Sequence, residues 1–234
     1  MKALNKVTLA LITTVAAASV SAASVDFRQE YKHEDESYAS RIKIGSSVGN
    51  HYFGLEAKQT GKPFSEWGSA DNEFEYGYNF KLDDHWRITT SMPITFGNDR
   101  ITYKPQVRVQ YKFDSGLTTK LRYRHEFRDY ADSTDKDSVN RSKITGNIDY
   151  NIGALQLGFE ANYAEDMFND DKWFGGDTAK RTNEWDYNIK VGYKEKDWSW
   201  RPYFELGNVQ YSNGPSSTNS DRQLRTRVGV TYSF

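Results

Sequence analysis

The chain ends in the alternating stretch Gln223-Leu224-Arg225-Thr226-Arg227-Val228-Gly229-Val230-Thr231-Tyr232-Ser233-Phe234. Side chains on a β-strand point to opposite faces with a period of two residues, so alternate positions of this stretch lie on different faces. One face carries mainly aliphatic and aromatic side chains, and the other carries polar side chains that include two arginines. The stretch therefore predicts a β-strand with an apolar face and a cationic face, ending on an aromatic residue.

The same alternation recurs along the chain and predicts about twelve strands. They lie near residues 24–31, 38–45, 51–58, 72–81, 86–96, 100–113, 117–127, 141–152, 155–165, 183–194, 198–209 and 223–234. An even number of such strands is typical of all-β, antiparallel transmembrane barrels of the bacterial outer membrane. A membrane leaves no backbone group without a partner, so we expect the strands to close on themselves as a single domain, residues 23–234.

Apolar rows and aromatic content support a lipid-facing surface. Aromatic residues make up 15% of the chain, enough to supply girdles at both membrane interfaces. A soluble antiparallel sandwich or a lipocalin-like barrel would also alternate, but the polar faces carry too much charge to form a soluble core. Three rows are apolar or aromatic throughout: Phe74, Tyr76, Tyr78 and Phe80; Val107, Val109, Tyr111 and Phe113; Trp185, Tyr187, Ile189, Val191 and Tyr193.

The first 22 residues have the pattern of a cleaved signal peptide. Lys2 and Lys6 precede a mostly apolar segment over residues 7–20, and small residues follow it. Cleavage is predicted after Ala22 or Ala23, and the predicted location is the outer membrane of a Gram-negative cell. Cysteine is absent, which excludes disulfides and thiol chemistry.

Connections of two kinds alternate between the predicted strands. Short segments at residues 81–85, 113–116 and 195–197 are predicted to be periplasmic turns. Longer polar segments at residues 60–70, 129–140, 166–182 and 212–222 are predicted to lie outside the cell.

Basic residues on the polar faces form two groups, which we call the basic tracks. The first track comprises Lys104, Arg108, Lys120, Arg122, Arg124, Arg141 and Lys143. The second comes from the two ends of the chain and comprises Arg28, Arg41, Lys43, Arg201, Arg225 and Arg227. They centre on the seventh and the first strands, which are opposite one another in a ring of twelve.

Acidic residues on the same polar faces lie between the tracks: Glu73, Glu75, Glu160, Glu184 and Asp186. The basic residues could therefore form a solute path, or they could neutralise these acids and stiffen the wall. Tyr52 and Tyr203 also lie at the alternate strand positions whose side chains point into the lumen. They either stack on sugar rings or simply fill the wall.

Barrel dimensions make a solute path physically reasonable. Twelve strands about 4.8 Å apart and tilted by roughly 40° place the backbone on a circle of roughly 12 Å radius. Side chains would then leave a bore of roughly 6 Å radius, less than the Debye length of about 8 Å at physiological salt. Successive inward side chains advance by roughly 5 Å along the pore, close to one pyranose unit. A chain of carboxylated sugars could thus pass from one guanidinium to the next.

Four stretches resemble the KdgM-type oligogalacturonate-specific porins. They are residues 24–30 (Ser-Val-Asp-Phe-Arg-Gln-Glu), 121–124 (Leu-Arg-Tyr-Arg), 201–203 with 207–209 (Arg-Pro-Tyr and Gly-Asn-Val), and 225–234. Arg122, Arg124, Arg225 and Arg227 fall in matching blocks. The order Tyr-Lys-Pro-Gln at residues 103–106 departs from the Pro-Tyr-containing strand of the family.

The resemblance implies a monomeric, anion-selective outer-membrane channel of twelve strands with a lumen lined by basic residues. It implies an acidic oligosaccharide as substrate: oligogalacturonates from pectin or, in related branches, sialic acid or alginate oligomers. No cofactor, metal or nucleic-acid motif is found in the sequence, and the remaining expected partners are outer-membrane lipid and lipopolysaccharide.

Two other classes of barrel, an enzyme and a structural barrel, are alternatives to a channel. A barrel enzyme needs a histidine base near a nucleophile, and the four histidines leave only His33, beside three acidic residues, as a candidate at the rim. A structural barrel would have a plugged lumen. The acidic loop residues Glu165, Asp166, Asp170 and Asp171 could bridge divalent ions to lipopolysaccharide, although solvated charge is the simpler interpretation.

Overall fold

A computed structural model describes residues 22–63, 65, 66, 68–131, 139–167, 183–211 and 221–234. It contains the strands β1 (Ala22–Lys32), β2 (Ser37–Val48), β3 (His51–Thr60), β4 (Gly68–Lys81), β5 (Trp86–Phe96), β6 (Arg100–Tyr103), β7 (Gln106–Lys112), β8 (Thr118–Tyr130), β9 (Val139–Ile152), β10 (Leu155–Met167), β11 (Asn183–Tyr193), β12 (Trp200–Gln210) and β13 (Arg222–Ser233). The predicted signal peptide lies outside the described residues, apart from Ala22. Among the described residues, no helix is long and apolar enough to cross a membrane.

The strands form a closed antiparallel barrel in which each strand pairs with its neighbours along the chain. The ring closes between β1 and β13, where nine residue pairs run from Ser24–Ser233 to Lys32–Arg225. The barrel has twelve strand positions, because β6 and β7 share the position between β5 and β8. The predicted twelve-stranded barrel is confirmed.

Two prolines interrupt the strand that was predicted to run unbroken over residues 100–113. Neither Pro93 of β5 nor Pro105 has an N–H to donate to the ladder. The register does not shift across the gap, because the Lys104 N–H donates to the Pro93 carbonyl (2.9 Å) and the His125 N–H to the Pro105 carbonyl (3.0 Å). The departure from a continuous strand is therefore local, and inward parity is kept through it.

Short turns lie together at one end of the barrel, as predicted. Two of them are two-residue hairpin turns in which Gly49 (φ 58°) and Gly153 (φ 57°) adopt the left-handed conformation that such turns require. The predicted outside segments begin at the opposite end. Most residues of the segments after β8, β10 and β12, including Asp170 and Asp171, lie outside the described residues.

The barrel has a polar interior and an apolar exterior. Among the described residues, few apolar side chains are buried: Pro93, Ala164, Tyr203 and Val209. The predicted lipid-facing rows are exposed to the surroundings of the barrel, with Ile189 62% and Phe80 46% accessible. The wall is therefore held by backbone ladders and by polar contacts across the lumen, since little apolar area is buried inside.

Candidate functional site

All thirteen basic residues of the two tracks lie on the inward face of the barrel. Several pair directly across adjacent strands: Arg28 is opposite Arg41, Arg108 is opposite Arg122, and Lys143 is opposite Arg124. Like charges directly opposite one another destabilise a sheet. Their presence in three such pairs indicates a role other than holding the wall together.

Residues of both tracks line the same cavities in the lumen, and we call the cavity that the most track residues share the central cavity. Its volume is about 340 Å³. The first track contributes Arg108, Lys120 and Arg122 to its lining, and the second contributes Arg28, Arg41 and Arg227. Cations from opposite walls of the barrel therefore line a single space.

Most basic residues of the tracks are neutralised by neighbouring carboxylates. Arg227 bonds both Glu30 (2.6 Å) and Glu205 (2.6 Å). The other ion pairs join Arg41 to Asp26 (2.5 Å), Lys104 to Glu73 (2.9 Å), Lys120 to Asp149 (2.8 Å), Arg141 to Glu184 (2.5 Å), Lys43 to Glu75 (3.6 Å), Arg124 to Glu126 (3.8 Å) and Arg225 to Glu30 (4.0 Å). Internal neutralisation, which the sequence left open, thus accounts for a large part of the basic charge.

Five basic residues have no carboxylate within ion-pair distance among the described residues. Arg28, Arg108 and Lys143 make no side-chain hydrogen bond there either. Arg122 bonds only the Thr145 hydroxyl (2.9 Å), and Arg201 bonds neutral side chains. The Nε atoms of Arg108 and Arg122 are buried without a partner. An uncompensated buried cation is costly, so these groups are suited to bind an anion that enters the lumen.

Lys190 is an inward-facing cation that the sequence analysis did not select. It lies on β11, lines the central cavity, and also lines a second cavity of about 350 Å³ that includes Arg201. Its ammonium group lies 3.6 Å from the centre of the Tyr203 ring, a cation–π contact. Its inward parity, shared with Glu184 and Asp186, was the available signal.

Both inward tyrosines lie against the wall. Tyr52 is directly opposite Gly77, and Tyr203 is directly opposite Gly229. Each ring covers the place where a side chain on that glycine would be, and each hydroxyl donates to a carboxylate, Tyr52 to Glu75 (2.6 Å) and Tyr203 to Asp26 (3.1 Å). This position agrees with wall filling and leaves the lumen open beside them.

No group of three or more histidine or acidic side chains that could hold a metal ion occurs within the described ranges. His33 bonds the Thr226 hydroxyl (2.9 Å) and packs on Tyr31. His125 lies on the outward face of β8 against Phe127.

Several known proteins are similar to this chain. The oligogalacturonate-specific porin KdgM of Dickeya dadantii is 31% identical over 96% of this chain and 98% of its own length. A KdgM porin solved in complex with disordered oligogalacturonate matches with a TM-score of 0.64 at 25% identity, covering 90% of this chain and 99% of that one.

Another relative is the N-acetylneuraminic acid outer-membrane channel protein NanC of Escherichia coli, 23% identical over 57% of this chain and 59% of its own length. A solved NanC porin matches with a TM-score of 0.72 at 19% identity, covering 89% of this chain and 98% of that one, and so supports the fold. The family model of the oligogalacturonate-specific porin protein matches residues 16–234. This barrel of the outer membrane, with its cation-lined lumen, belongs to the KdgM family of oligogalacturonate-specific porins.

Proposed function

We propose that the chain is a passive channel through which oligogalacturonates cross the outer membrane, and that the thirteen residues of the basic tracks, with Lys190, form their path. The observation that carries this proposal is the central cavity, which Arg28 faces from one wall and Arg108 and Arg122 face from the other, all three without a carboxylate partner in the described part of the chain. The near full-length similarity to a porin named for this substrate supports it.

Passage follows from the number and weakness of the sites. A carboxylate that enters meets guanidinium groups that can bind it through two parallel hydrogen bonds. Because Arg41, directly opposite Arg28, is already paired with Asp26, the attraction that a passing carboxylate meets at Arg28 is limited. Several weak sites in sequence allow release as well as binding, as conduction requires.

We further propose that the protein acts without catalysis or cofactor and functions as a monomer in contact with lipid and lipopolysaccharide. The positions of His33 and His125 support the first part. Thr226, which bonds His33, lies on the outward face of β13 with Leu224 and Val228, and His125 packs on Phe127 of the outward face of β8, so both rings lie away from the lumen. The exposed aromatic side chains on the outward faces of the strands support contact with lipid.

Planar bilayers test the proposal directly. The purified protein should pass anions in preference to cations, and trigalacturonate should block its current at lower concentration than the neutral trisaccharide maltotriose. Sialic acid and a trimeric alginate oligomer, compared side by side, test the related substrates. Equal block by trigalacturonate and maltotriose would reject an acidic-sugar channel.

Arg28→Gln and Arg108→Gln test the path. Loss of one charge about 8 Å from a passing anion removes roughly 0.5 kcal/mol in water, so each change should weaken trigalacturonate block about twofold or more. The matched control is Lys196→Gln in the exposed turn between β11 and β12, which removes the same charge away from the lumen. If all three variants weakened trigalacturonate block equally, the total charge of the protein, and not these two arginines, would determine the block.

A further inference from the structure

A polar network links the two basic tracks along the wall formed by β9, β10 and β11. It starts at Arg122, which bonds Thr145 (2.9 Å), and Thr145 donates to Asn162 (2.7 Å). Asn162 in turn donates to Glu160 (2.8 Å). At the other end, Arg225 of the second track bonds Asn188 (2.7 Å). Asn188 also donates to Glu160 (3.3 Å), so the network converges on this carboxylate from both sides.

Glu160 differs from the other inward carboxylates in its partners. It accepts hydrogen bonds from three amides, those of Asn147 (3.0 Å), Asn162 and Asn188. No lysine or arginine nitrogen of the described chain lies within 4.0 Å of it, whereas Glu205, which lines the same cavity, is bonded to Arg227. The negative charge of Glu160 is thus held in place by neutral groups and is not cancelled by direct contact.

A fixed, uncancelled carboxylate opposes the passage of anions, since it repels every anion that enters the central cavity. Its carboxylate oxygens can nevertheless accept more hydrogen bonds than the amides supply. A sugar hydroxyl is a donor that such a carboxylate binds strongly. Chloride carries the same charge as a uronate but has no hydroxyl donor, and singly charged phosphate has fewer hydroxyl donors than a uronate.

Glu160, Asn147 and Arg122 all line the central cavity. A uronate ring there can therefore present its carboxylate to a guanidinium and its hydroxyls to Glu160 at the same time. We propose that Glu160 and Asn147 form a sugar-hydroxyl subsite in the central cavity, which selects acidic sugars over other anions. The inference rests on the proposed function and adds a specificity-determining residue of opposite charge to the path.

Glu160→Gln separates this subsite from simple electrostatics, because the two predict opposite signs. Removal of a negative charge from the cavity should by itself strengthen anion binding, about twofold at a separation of roughly 8 Å. Loss of a charged acceptor for sugar hydroxyls should by itself weaken trigalacturonate block about fivefold, the value of one hydrogen bond, so the two effects together should leave the block about two- to threefold weaker. The chloride-over-potassium permeability ratio should rise in the same variant.

The matched control is Glu205→Gln, which removes a carboxylate from the same cavity but one that is already bonded to Arg227. It should raise chloride preference and strengthen trigalacturonate block. A second variant, Asn147→Ala, changes no formal charge and removes one of the three amides that bond Glu160, so electrostatics alone predicts no change and the subsite predicts block about threefold weaker. Folding of each variant is checked by the heat-dependent shift in gel mobility.

Weaker trigalacturonate block in Glu160→Gln and Asn147→Ala, with stronger block in Glu205→Gln, supports the subsite. Stronger or unchanged block in Glu160→Gln, while the unmodified channel is blocked normally, overturns the subsite alone. An unmodified channel that trigalacturonate does not block overturns the proposed function and the subsite together.

Discussion

Two arginines of the tracks, Arg28 and Arg227, show how differently inward cations are used. Arg227 bonds two carboxylates from the strands on either side, whereas Arg28 bonds none among the described residues. Parity along a strand predicts that both side chains face inward. It cannot predict the difference in partners, because that depends on the register between strands far apart in the chain, such as the pairing of Glu30 with Arg227 across the closing seam.

Arg227→Ala should destabilise the barrel strongly. The change leaves Glu30 and Glu205 inside the wall, each largely buried, with only the longer contact from Arg225 at 4.0 Å to Glu30. Breaking a buried pair by removing one partner costs about 3–5 kcal/mol. The temperature at which the folded form is lost on gels should therefore fall well below that of Arg201→Ala, which loses only neutral partners. Equal transition temperatures would show that the ion pairs at the seam contribute little.

Strands and their faces could be predicted from the sequence because each strand has one face in lipid and one in water. Two features of individual strands could not be predicted from the sequence. The interruption between β6 and β7 needs two prolines on neighbouring strands to come into register, which neither strand reveals alone. The flat position of Tyr203 needs Gly229 directly opposite it, again a cross-strand relation. Inward parity of Lys190 was predictable, but its contact with Tyr203 was not.

Gly229→Ala should narrow the pore. A methyl group at this position would overlap the Tyr203 ring and approach the Phe27 carbonyl oxygen to 2.7 Å. The ring must then leave the wall and project into the lumen, with an overpacking cost of about 1–3 kcal/mol. Single-channel conductance in planar bilayers should fall, and a second change, Tyr203→Ala, should restore it. Conductance that stays low in the double variant would mean that the backbone at the seam, and not the ring, had moved.

At the scale of the whole molecule, the lumen is close in size to the distance over which salt screens charge. Ion pairs neutralise most of the tracks, and three of the five cations left without a carboxylate partner among the described residues, Arg28, Arg108 and Arg122, line the central cavity. An ion in a bore of roughly 6 Å radius is within the Debye length of the wall at low salt, about 10 Å at 0.1 M, and beyond it at 1 M, where the length is about 3 Å. Selectivity should therefore depend on the field of the whole wall.

Reversal potentials measured across KCl gradients check this expectation. Anion preference should be strong near 0.1 M and should nearly vanish near 1 M, because screening then hides the unpaired cations from ions on the pore axis. Anion preference that persists unchanged to 1 M would instead indicate tight binding of chloride at one site.

The seam between β1 and β13 brings the two ends of the barrel chain together, since the backbone N–H of Phe234 donates to the carbonyl of Ala23 at 3.0 Å. A few added residues could span this distance and splice the barrel into a continuous loop. New ends could then be opened at the hairpin around Gly153, on the same rim, without changing which strands are neighbours. A different strand could thus be synthesised first while every strand keeps the same two neighbours around the pore.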